Sequence, residues 1–443
     1  MNKVLNLKDS LGELHVSKKE NGYYNLIRKN NRNKIVNVID HVQFFNSNNE
    51  CKLIPIDDRI LKEIEYKIET NSNYSSYFVF HDTLDKIDDK YVNQEKSQEE
   101  HQFTSTGIKF WRHQEKMLNY KNGSSHTVVS THISPEGACN LKCPYCSVTY
   151  RKNSSRIELD VIKDYVIKLK SRGLKAAILT GGGEPTMYKH FNELIRWLKE
   201  QNLSVALITN GTNARLVNDD VWGMFSWVRV SVNLFDGWES KINIPTQFLS
   251  DECVLGMSHV FTVEHEKIES TEVLEYFDKI SKLANRLNAK YIRVLPNCLL
   301  EQETLVRVHR GLDVVFTKLK DPRFFHQYKF HEVPKSKVCH QSYFRPYLSE
   351  EPFHVTGIPG TVYPCDSVVL NSSVTHFAQK YQLCGASDIL DYIDKKINHK
   401  FTPCEDCKGC VFTNNINTID DFINNKIDRF DEFTKPIKHE EFI

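Results

Sequence analysis

The chain has 443 residues, enough for two or three domains with ample core, and a formal net charge of +1 at pH 7. A chain with so little net charge has no overall positive surface to attract nucleic acid. Nucleic acid is therefore disfavoured as a partner but not excluded. No secretory signal and no apolar run of transmembrane length is found, so we expect a cytoplasmic location and no membrane partner. Twelve cysteines in that compartment favour metal and thiol chemistry over disulfides.

The first part of the chain carries no readable motif. Residues 1–80 are predicted to form a separate α+β domain of unknown role, with short strands and one helix over 60–68. Residues 81–120 begin with a polar, charged stretch and are predicted to be a linker that leads into the next domain.

Strand-like and helix-like patterns alternate from residue 121 to residue 325. The predicted strands are 127–133, 176–179, 205–209, 227–234, 259–263 and 291–295. Strands separated by helices of this length imply parallel pairing with right-handed crossovers. The pattern therefore predicts an α/β fold, a partial (β/α)6 barrel with ligands at the carboxyl ends of its strands.

A cysteine loop follows the first predicted strand. Cys139, Cys143 and Cys146 have the spacing C-x3-C-x2-C, and both gaps are too short for a helix or a strand. Three thiolates can hold three irons of a cubane cluster and leave the fourth open to a small molecule, whereas electron-transfer clusters usually have four cysteine ligands. A zinc loop or a redox dithiol on Cys143 and Cys146 is the alternative. A capping box at Ser155 and Glu158 then predicts the start of a helix.

The second predicted strand runs into the sequence GGGEP at residues 181–185. Glycines let the backbone approach a ligand closely, and a carboxylate pairs with an ammonium group. In isolation such a sequence is also an ordinary turn signal. Paired with the cysteine loop, we interpret it as part of a ligand site.

The last third of the chain holds a second set of six cysteines. They are Cys339, Cys365, Cys384, Cys404, Cys407 and Cys410, the last three within PCEDCKGC. Six thiols can fill one iron–sulfur cluster with two left over, and a zinc site of four cysteines is the alternative. The isolated Cys51, Cys253 and Cys298 are expected to be buried free thiols. The polar tail, residues 416–443, is expected to cover the base of the barrel.

The order of strand, cysteine loop, helix, strand and glycine–carboxylate loop resembles that of the radical S-adenosylmethionine (radical SAM) enzymes. The resemblance implies that Cys139, Cys143 and Cys146 hold a [4Fe–4S] cluster whose open iron chelates SAM. It further assigns a set of residues to SAM binding: Tyr145, Gly182, Gly183, Glu184, Ser231, Asn233, Arg293 and Leu295. Family members more often have Asp where Asn233 stands. Arg293 is either a structural ion pair at the barrel rim or a contact to the SAM carboxylate or the substrate.

The C-terminal cysteines are similar to the SPASM or twitch extensions of these enzymes, which hold one or two auxiliary [4Fe–4S] clusters. The match is partial, because full SPASM domains usually use seven or more cysteines and a C-x2-C-x5-C spacing that is shorter here. We therefore expect at least one auxiliary [4Fe–4S] cluster within residues 326–415, placed after a radical SAM barrel of residues 121–325.

The resemblance implies an enzyme that receives one electron from a donor such as flavodoxin or ferredoxin. SAM is then cleaved to methionine and a 5′-deoxyadenosyl radical, which abstracts a hydrogen atom from the substrate. SPASM-type relatives suggest a peptide or protein side chain as substrate; a nucleotide, nucleobase or other small metabolite is the alternative. A non-catalytic iron–sulfur or zinc scaffold is the alternative of another class, and the intact GGGEP sequence counts against it. The sequence identifies no general base or nucleophile.

Overall fold

A computed structural model describes residues 102–143, 145–148, 153–232, 237–262, 271–368, 379–397 and 399–443, together with the backbone of five strands between residues 5 and 53. The chain divides into two compact units, Met1–Glu95 and Lys96–Ile443. Within the described residues, no helix is both long and apolar enough to cross a membrane.

The N-terminal unit contains a five-stranded antiparallel sheet in which each strand pairs with the next along the chain. Its strands are β1 (Leu5–Asp9), β2 (Gly12–Lys18), β3 (Tyr23–Lys29), β4 (Ile35–Ser47) and β5 (Glu50–Leu53). Cys51 is the second residue of β5. The predicted helix over 60–68 lies outside the described residues.

The second unit is built on a ten-stranded sheet with the order β12-β11-β10-β9-β8-β7-β6-β13-β14-β15. Its strands are β6 (Ser130–Ile133), β7 (Ala176–Leu179), β8 (Ser204–Thr209), β9 (Trp227–Val232), β10 (Val254–Phe261), β11 (Tyr291–Pro296), β12 (Phe324–His326), β13 (Tyr347–Pro352), β14 (Pro359–Tyr363) and β15 (Cys384–Gly385). Strands β6 to β12 are parallel, β13 joins β6 in parallel, and β14 and β15 continue antiparallel.

Helices fill the connections of this unit. They are α1 (Ile108–Trp111), α2 (Gln114–Lys121), α3 (Leu159–Lys170), α4 (Phe191–Glu200), α5 (Asp219–Trp222), α6 (Trp238–Lys241), α7 (Thr271–Arg286), α8 (Gln302–Lys318), α9 (Ile389–Ile393), α10 (Pro403–Asp406) and α11 (Thr413–Ile423). The predicted α/β class is thus confirmed, with a parallel-strand sheet of the partial-barrel type.

Apolar periodicity explains these elements. Helix α3 buries Ile162, Tyr165, Val166 and Leu169, which are three or four residues apart and share one face. All four residues of β7 are buried, as expected for a parallel strand that is covered on both faces. Each fully buried Leu or Ile contributes about 1.5–3 kcal/mol relative to an exposed one.

Two details differ from the sequence prediction. The fifth parallel strand begins at Val254 rather than at residue 259. Gly256 interrupts the apolar pattern of the sequence, yet it lies within the strand. The position requires glycine because a Cβ there would overlap the ring of Tyr291. The predicted capping box is also wrong, since Glu158 is the N-cap of α3 and no side chain caps it. The carbonyl of Ser155 instead accepts the backbone N–H of Gly137 at 2.8 Å.

The C-terminal tail packs at the amino ends of the strands. Phe442 lies edge-on to Trp227, the first residue of β9, with 5.5 Å between the ring centroids. The buried ammonium group of Lys109 on α1 donates to the carbonyls of His439 and Phe442 at 3.0 and 3.1 Å. The tail therefore covers the base of the barrel and ties it to the lead-in helix.

Candidate active site

The cysteine loop begins where β6 ends, at the carboxyl edge of the parallel strands. The thiols of Cys139, Cys143 and Cys146 are half-buried. The backbone N–H of Cys146 donates to the carbonyl of Cys143 at 3.1 Å, which forms a tight turn between them. The carboxylate of Glu136, three residues ahead of the first thiol, accepts the backbone N–H of Ala138 at 3.1 Å. The loop is thus held by its own backbone before any metal binds.

The glycine loop is bonded directly to the cysteine loop. The N–H of Gly183 donates to the carbonyl of Glu136 at 2.9 Å, and the N–H of Glu184 donates to the carbonyl of Ala138 at 2.8 Å. These two bonds join the segment after β7 to the residues that immediately precede Cys139. The structure therefore brings together the two motifs that the sequence separates by 35 residues.

Close packing explains why this segment consists of glycines. A Cβ on Gly183 would overlap the carbonyl of Ala138, and a Cβ on Gly182 would overlap the carboxylate of Glu350. A Cβ on Gly181 would overlap the carbonyl of Gly183. All three positions require glycine because neighbouring atoms occupy the Cβ space.

Glu184 holds the ends of two strands together. Its carboxylate accepts four hydrogen bonds within the protein: from Thr209 Oγ1 at 2.6 Å, from Thr186 Oγ1 at 2.8 Å, from the N–H of Asn210 at 2.8 Å and from the N–H of Thr186 at 3.2 Å. Burial raises the pKa of this carboxyl, and the hydrogen bonds oppose that shift. The side chain thus acts as a brace between β7 and β8, whereas its pairing with the ammonium of SAM stays a prediction.

Asn140 and Asn210 form a bridge that the sequence analysis missed. Asn210, which follows β8, donates to Asn140 Oδ1 within the cysteine loop at 2.9 Å. Asn140 in turn donates to Thr212 Oγ1 at 2.7 Å. The signal in the sequence was the Asn-Gly pair after a predicted strand, but only the fold shows what it touches.

Glu350 is a further residue that the sequence analysis missed. It lies on β13, is fully buried, and accepts the hydroxyl of Ser134 at 2.6 Å. Ser134 accepts the N–H of Gly182 at 2.5 Å. The other carboxylate oxygen of Glu350 has no hydrogen-bond partner among the described residues, and burial raises its pKa to about 7. A proton-holding group thus lies behind the glycine loop.

Of the other predicted SAM-binding residues, Ser231, Arg293 and Leu295 lie on parallel strands and Tyr145 lies in the cysteine loop. Burial and the neighbouring Cys143 raise the pKa of Tyr145 above its ordinary value. Ser231 is half-buried near the end of β9, and Asn233 lies outside the described residues. Arg293 on β11 donates to Ser258 Oγ at 2.9 Å and to Gln327 Oε1 at 3.1 Å, and Leu295 follows it on the same face.

Four of the six C-terminal thiols influence one another. Burial raises the pKa of Cys339, and the nearby Cys407 and Cys410 raise it further. The pKa of Cys365 is raised by burial and then by Cys339 among others, and that of Cys407 by burial and then by Cys365 and Cys410. We call Cys339, Cys365, Cys407 and Cys410 the C-terminal thiol group.

The remaining two cysteines differ. Cys384 lies on β15, and after burial the charges that raise its pKa are those of Asp388 and Asp391 rather than of other thiols. Cys404 is the second residue of α10. Within the described ranges, no three His, Cys, Asp or Glu side chains are arranged to hold a single metal ion. In a cubane cluster with four cysteine ligands each thiolate binds a different iron, so the ligands surround a larger body than one ion.

The isolated Cys253 and Cys298 are free thiols, as expected, but they are half-buried rather than buried. Burial raises the pKa of Cys253 to about 11, and it also raises that of Cys298. Both thiols are therefore protonated near neutral pH.

The family described as the Radical SAM superfamily matches residues 133–235 of the chain. The match includes the cysteine loop, the glycine loop and β9. The protein is therefore an enzyme, and its cofactors include a [4Fe–4S] cluster and SAM.

Curated relatives share part of the chain. An S-adenosylmethionine-dependent nucleotide dehydratase of Selenomonas ruminantium is 26% identical over 216 residues, which cover 46% of this chain and 69% of the relative. A probable GTP 3′,8-cyclase of Pyrococcus horikoshii is 37% identical over 86 residues, which cover 19% of this chain and 27% of the relative.

Solved structures extend over more of the chain at lower identity. Streptococcus suis SuiB bound to the precursor peptide SuiA has a TM-score of 0.40 and 13% identity, and the alignment covers 88% of each chain. The structure of anSMEcpe with bound AdoMet and a Cp18Cys peptide has a TM-score of 0.42 and 17% identity, covering 65% of this chain and 87% of that one. Likeness at this level does not identify a substrate.

Proposed function

We propose that the protein reductively cleaves SAM at a [4Fe–4S] cluster held by Cys139, Cys143 and Cys146. When bound, the cluster and SAM supply a 5′-deoxyadenosyl radical that removes a hydrogen atom from the substrate. The observation that carries this proposal is the pair of hydrogen bonds from Gly183 and Glu184 to the backbone just ahead of Cys139. They fix the ligand-binding backbone beside the three thiols.

Each motif then has a stated task. The three thiolates ligate the cluster, and the backbone at Gly182 and Gly183 receives the SAM ammonium group, while Glu184 holds that backbone in place. Tyr145 lies with the adenine, Ser231 and Asn233 contact the ribose, and Arg293 and Leu295 border the methionine or the substrate. These roles follow the family pattern at the matching positions.

We further propose that the C-terminal thiol group binds one auxiliary [4Fe–4S] cluster. Cys339 is buried and the other three thiols are half-buried. Burial raises the pKa of all four, so their thiolates are costly to form without a cation, and iron ions supply that charge. A single four-cysteine zinc site is the alternative. Cys384 and Cys404 are outside this proposed ligand set.

The substrate is proposed from two sources of support. The resemblance to SPASM-type enzymes supports a peptide or protein side chain. The nucleotide named for the Selenomonas ruminantium relative and the GTP named for the Pyrococcus horikoshii relative support a nucleotide or small metabolite. In either case the electron comes from a separate one-electron donor of the flavodoxin or ferredoxin kind.

The test uses full-length protein that is purified and reconstituted without oxygen. Dithionite and SAM are added, and 5′-deoxyadenosine is measured by liquid chromatography–mass spectrometry. The wild type is expected to form it, the Cys143→Ala variant is expected to form none, and Cys253→Ala serves as the matched control. Equal product from the wild type and Cys143→Ala would contradict the proposal.

A further inference from the structure

A cavity of about 210 Å³ lies inside the barrel. Five parallel strands contribute to its wall, with His132, Ile178, Ile208, Arg229 and Arg293 from β6, β7, β8, β9 and β11. Its wall therefore belongs to the interior of the sheet rather than to an outer groove.

Aromatic rings form the floor of this cavity. Phe103 stacks on Tyr291 with 4.3 Å between ring centroids, and Phe442 lies against Trp227. Tyr291 and Trp227 are the first residues of β11 and β9. The floor is thus at the amino ends of the strands, and the opposite end of the strands is the edge that carries the cysteine loop.

Positive charge dominates the cavity wall. The described lining residues include five cations, which are Lys109, Arg229, Arg293, Lys329 and Arg345, and one carboxylate, which is Asp366. Burial lowers the pKa of Lys109 to about 7, so its charge is partial at neutral pH. The other four cations still outnumber the single carboxylate.

Arg229 is buried among neutral partners. Its Nε donates to the hydroxyl of Tyr291 at 3.0 Å, and one Nη donates to the carbonyl of Phe103. The guanidinium lies 4.9 Å from the ring centroid of Trp227. Only 6% of Arg229 is exposed, so water does little to compensate its charge.

Arg345 is buried more deeply, with 3% exposed, and its charge is only partly balanced. Its Nη1 donates to Ser105 Oγ at 3.4 Å and interacts with His132 Nε2 at 3.3 Å. Its buried Nη2 has no hydrogen-bond partner among the described residues, although Asp366 Oδ1 lies 3.6 Å away. Asp366 is shared, because its other oxygen lies 3.3 Å from His132 Nδ1.

These groups converge around His132. Burial lowers the pKa of His132, and the positive charge of Arg345 lowers it further, with a smaller contribution from Arg229. One carboxylate, Asp366, thus faces both Arg345 and His132, whereas the hydrogen-bond partners of Arg229 named above are neutral.

Buried cations without matching anions are costly, and a guanidinium fork is suited to the oxygens of phosphate or carboxylate. We propose that this cavity binds an oxyanion group of the substrate, a phosphate or a carboxylate, between Arg229 and Arg345. This inference rests on the proposed function for the identity of the bound molecule as substrate, and it disfavours a neutral peptide side chain as the group that enters the barrel.

The test measures binding of three probe anions to the reconstituted full-length protein by isothermal titration calorimetry at constant ionic strength. Inorganic phosphate and pyrophosphate represent phosphate esters, and succinate represents carboxylates. Saturable binding is expected with at least one of them. It is expected to weaken about 10-fold or more in Arg345→Gln and in Arg229→Gln, since each variant removes a charge-assisted hydrogen bond. The matched control is Arg196→Gln, an exposed arginine paired with Asp220 on the outer face.

A further variant distinguishes loss of the anion site from misfolding. Asp366→Asn removes the competing carboxylate and is expected to tighten anion binding, a change that a damaged fold cannot imitate. Binding of phosphate and pyrophosphate alone would support a phosphate ester, and binding of succinate alone would support a carboxylate substrate.

Three outcomes would overturn the inference. The first is the absence of saturable binding by all three probes, and the second is the same affinity in wild type and Arg345→Gln. The third is displacement of the bound anion by SAM, which would assign the site to the carboxylate of SAM rather than to substrate. The 5′-deoxyadenosine assay is run separately, so anion binding without SAM cleavage would contradict only the proposed function.

Discussion

The two cysteine-rich regions of this protein are assembled in opposite ways. The first places three half-buried thiols on one short loop and supports them with backbone hydrogen bonds from the next strand end. The C-terminal thiol group takes its members from three separate stretches, at residues 339, 365 and 407–410. In the proposed assignment, the first region leaves one iron open to a ligand, whereas four thiolates leave the second cluster closed.

The largest effect is expected from the backbone that supports the open site. In Gly183→Ala, the new Cβ would overlap the carbonyl of Ala138 and separate the glycine loop from the cysteine loop. SAM binding is expected to weaken by about 10–100-fold, the range found when groups that support a metal site are removed. The binding of SAM to the anaerobic protein is measured by equilibrium dialysis.

The control for this variant is Gly357→Ala. Gly357 has a positive φ of 70° and nothing within 4 Å of its Cβ position, so the substitution strains the backbone without touching the site. Equal loss of SAM binding in both variants would show that the contact between the two loops is unimportant.

The next largest effect is expected when a ligand of the C-terminal thiol group is removed. Cys365→Ala is expected to remove the auxiliary cluster and so to lower iron from about eight to about four per chain. Cys384→Ala is expected to retain the wild-type iron, because Cys384 interacts with Asp388 and Asp391 rather than with the other thiols. Iron and acid-labile sulfide are measured after anaerobic reconstitution. Iron loss in Cys384→Ala that equals the loss in Cys365→Ala would refute this assignment.

Because Glu350 is buried behind the glycine loop, we expect the free energy of unfolding to depend on pH. Burial raises its pKa to about 7 from 4.5, so the folded chain binds this proton more tightly than the unfolded chain does. The resulting stabilisation is complete below pH 4.5 and is lost as the pH rises through about 7; its full size is about 3 kcal/mol. Glu350→Gln should lack this loss. Urea unfolding midpoints are compared at about pH 5 and about pH 8, and parallel shifts in the two proteins would count against the prediction.

The smallest effect is expected at the bridge between Asn140 and Asn210. Asn140 is exposed and makes two side-chain hydrogen bonds, so Asn140→Ala should cost about 2 kcal/mol, since an ordinary hydrogen bond contributes about 1 kcal/mol net. Urea unfolding measures this loss, and Asn192→Ala, which removes two exposed hydrogen bonds of α4, is the matched control. A loss of several kcal/mol in Asn140→Ala alone would mean that the bridge is essential to the cysteine loop.

The same comparison explains what the sequence could predict. The cysteine loop, the glycine loop and six parallel strands were predicted because each is a local pattern of apolar runs, turns and short spacings. Alternating strands and helices imply parallel strands whose carboxyl ends lie at one edge of the sheet. The contact between the glycine loop and the cysteine loop follows from that arrangement.

The features that the sequence could not predict depend on contacts between residues that are far apart in the chain. Glu350 meets Ser134 across 216 residues, and no local pattern marks a lone Glu on a strand as part of a site. Cys384 and Cys365 are equally plausible in the sequence, yet only the fold separates them. Arg229 on β9 and Arg345, just ahead of β13, likewise both influence His132, so the charge of the cavity could not be inferred from local spacing.

The central claim is that the first cluster has an open iron and the C-terminal thiol group does not. The most direct measurement is the electron paramagnetic resonance spectrum of dithionite-reduced protein before and after SAM is added. It is recorded for Cys407→Ala, which retains only the first site, and for Cys143→Ala, which is expected to lack a functional first site. We predict that SAM changes the signal in Cys407→Ala and leaves that of Cys143→Ala unchanged. A SAM-dependent change in Cys143→Ala, with none in Cys407→Ala, would contradict the account.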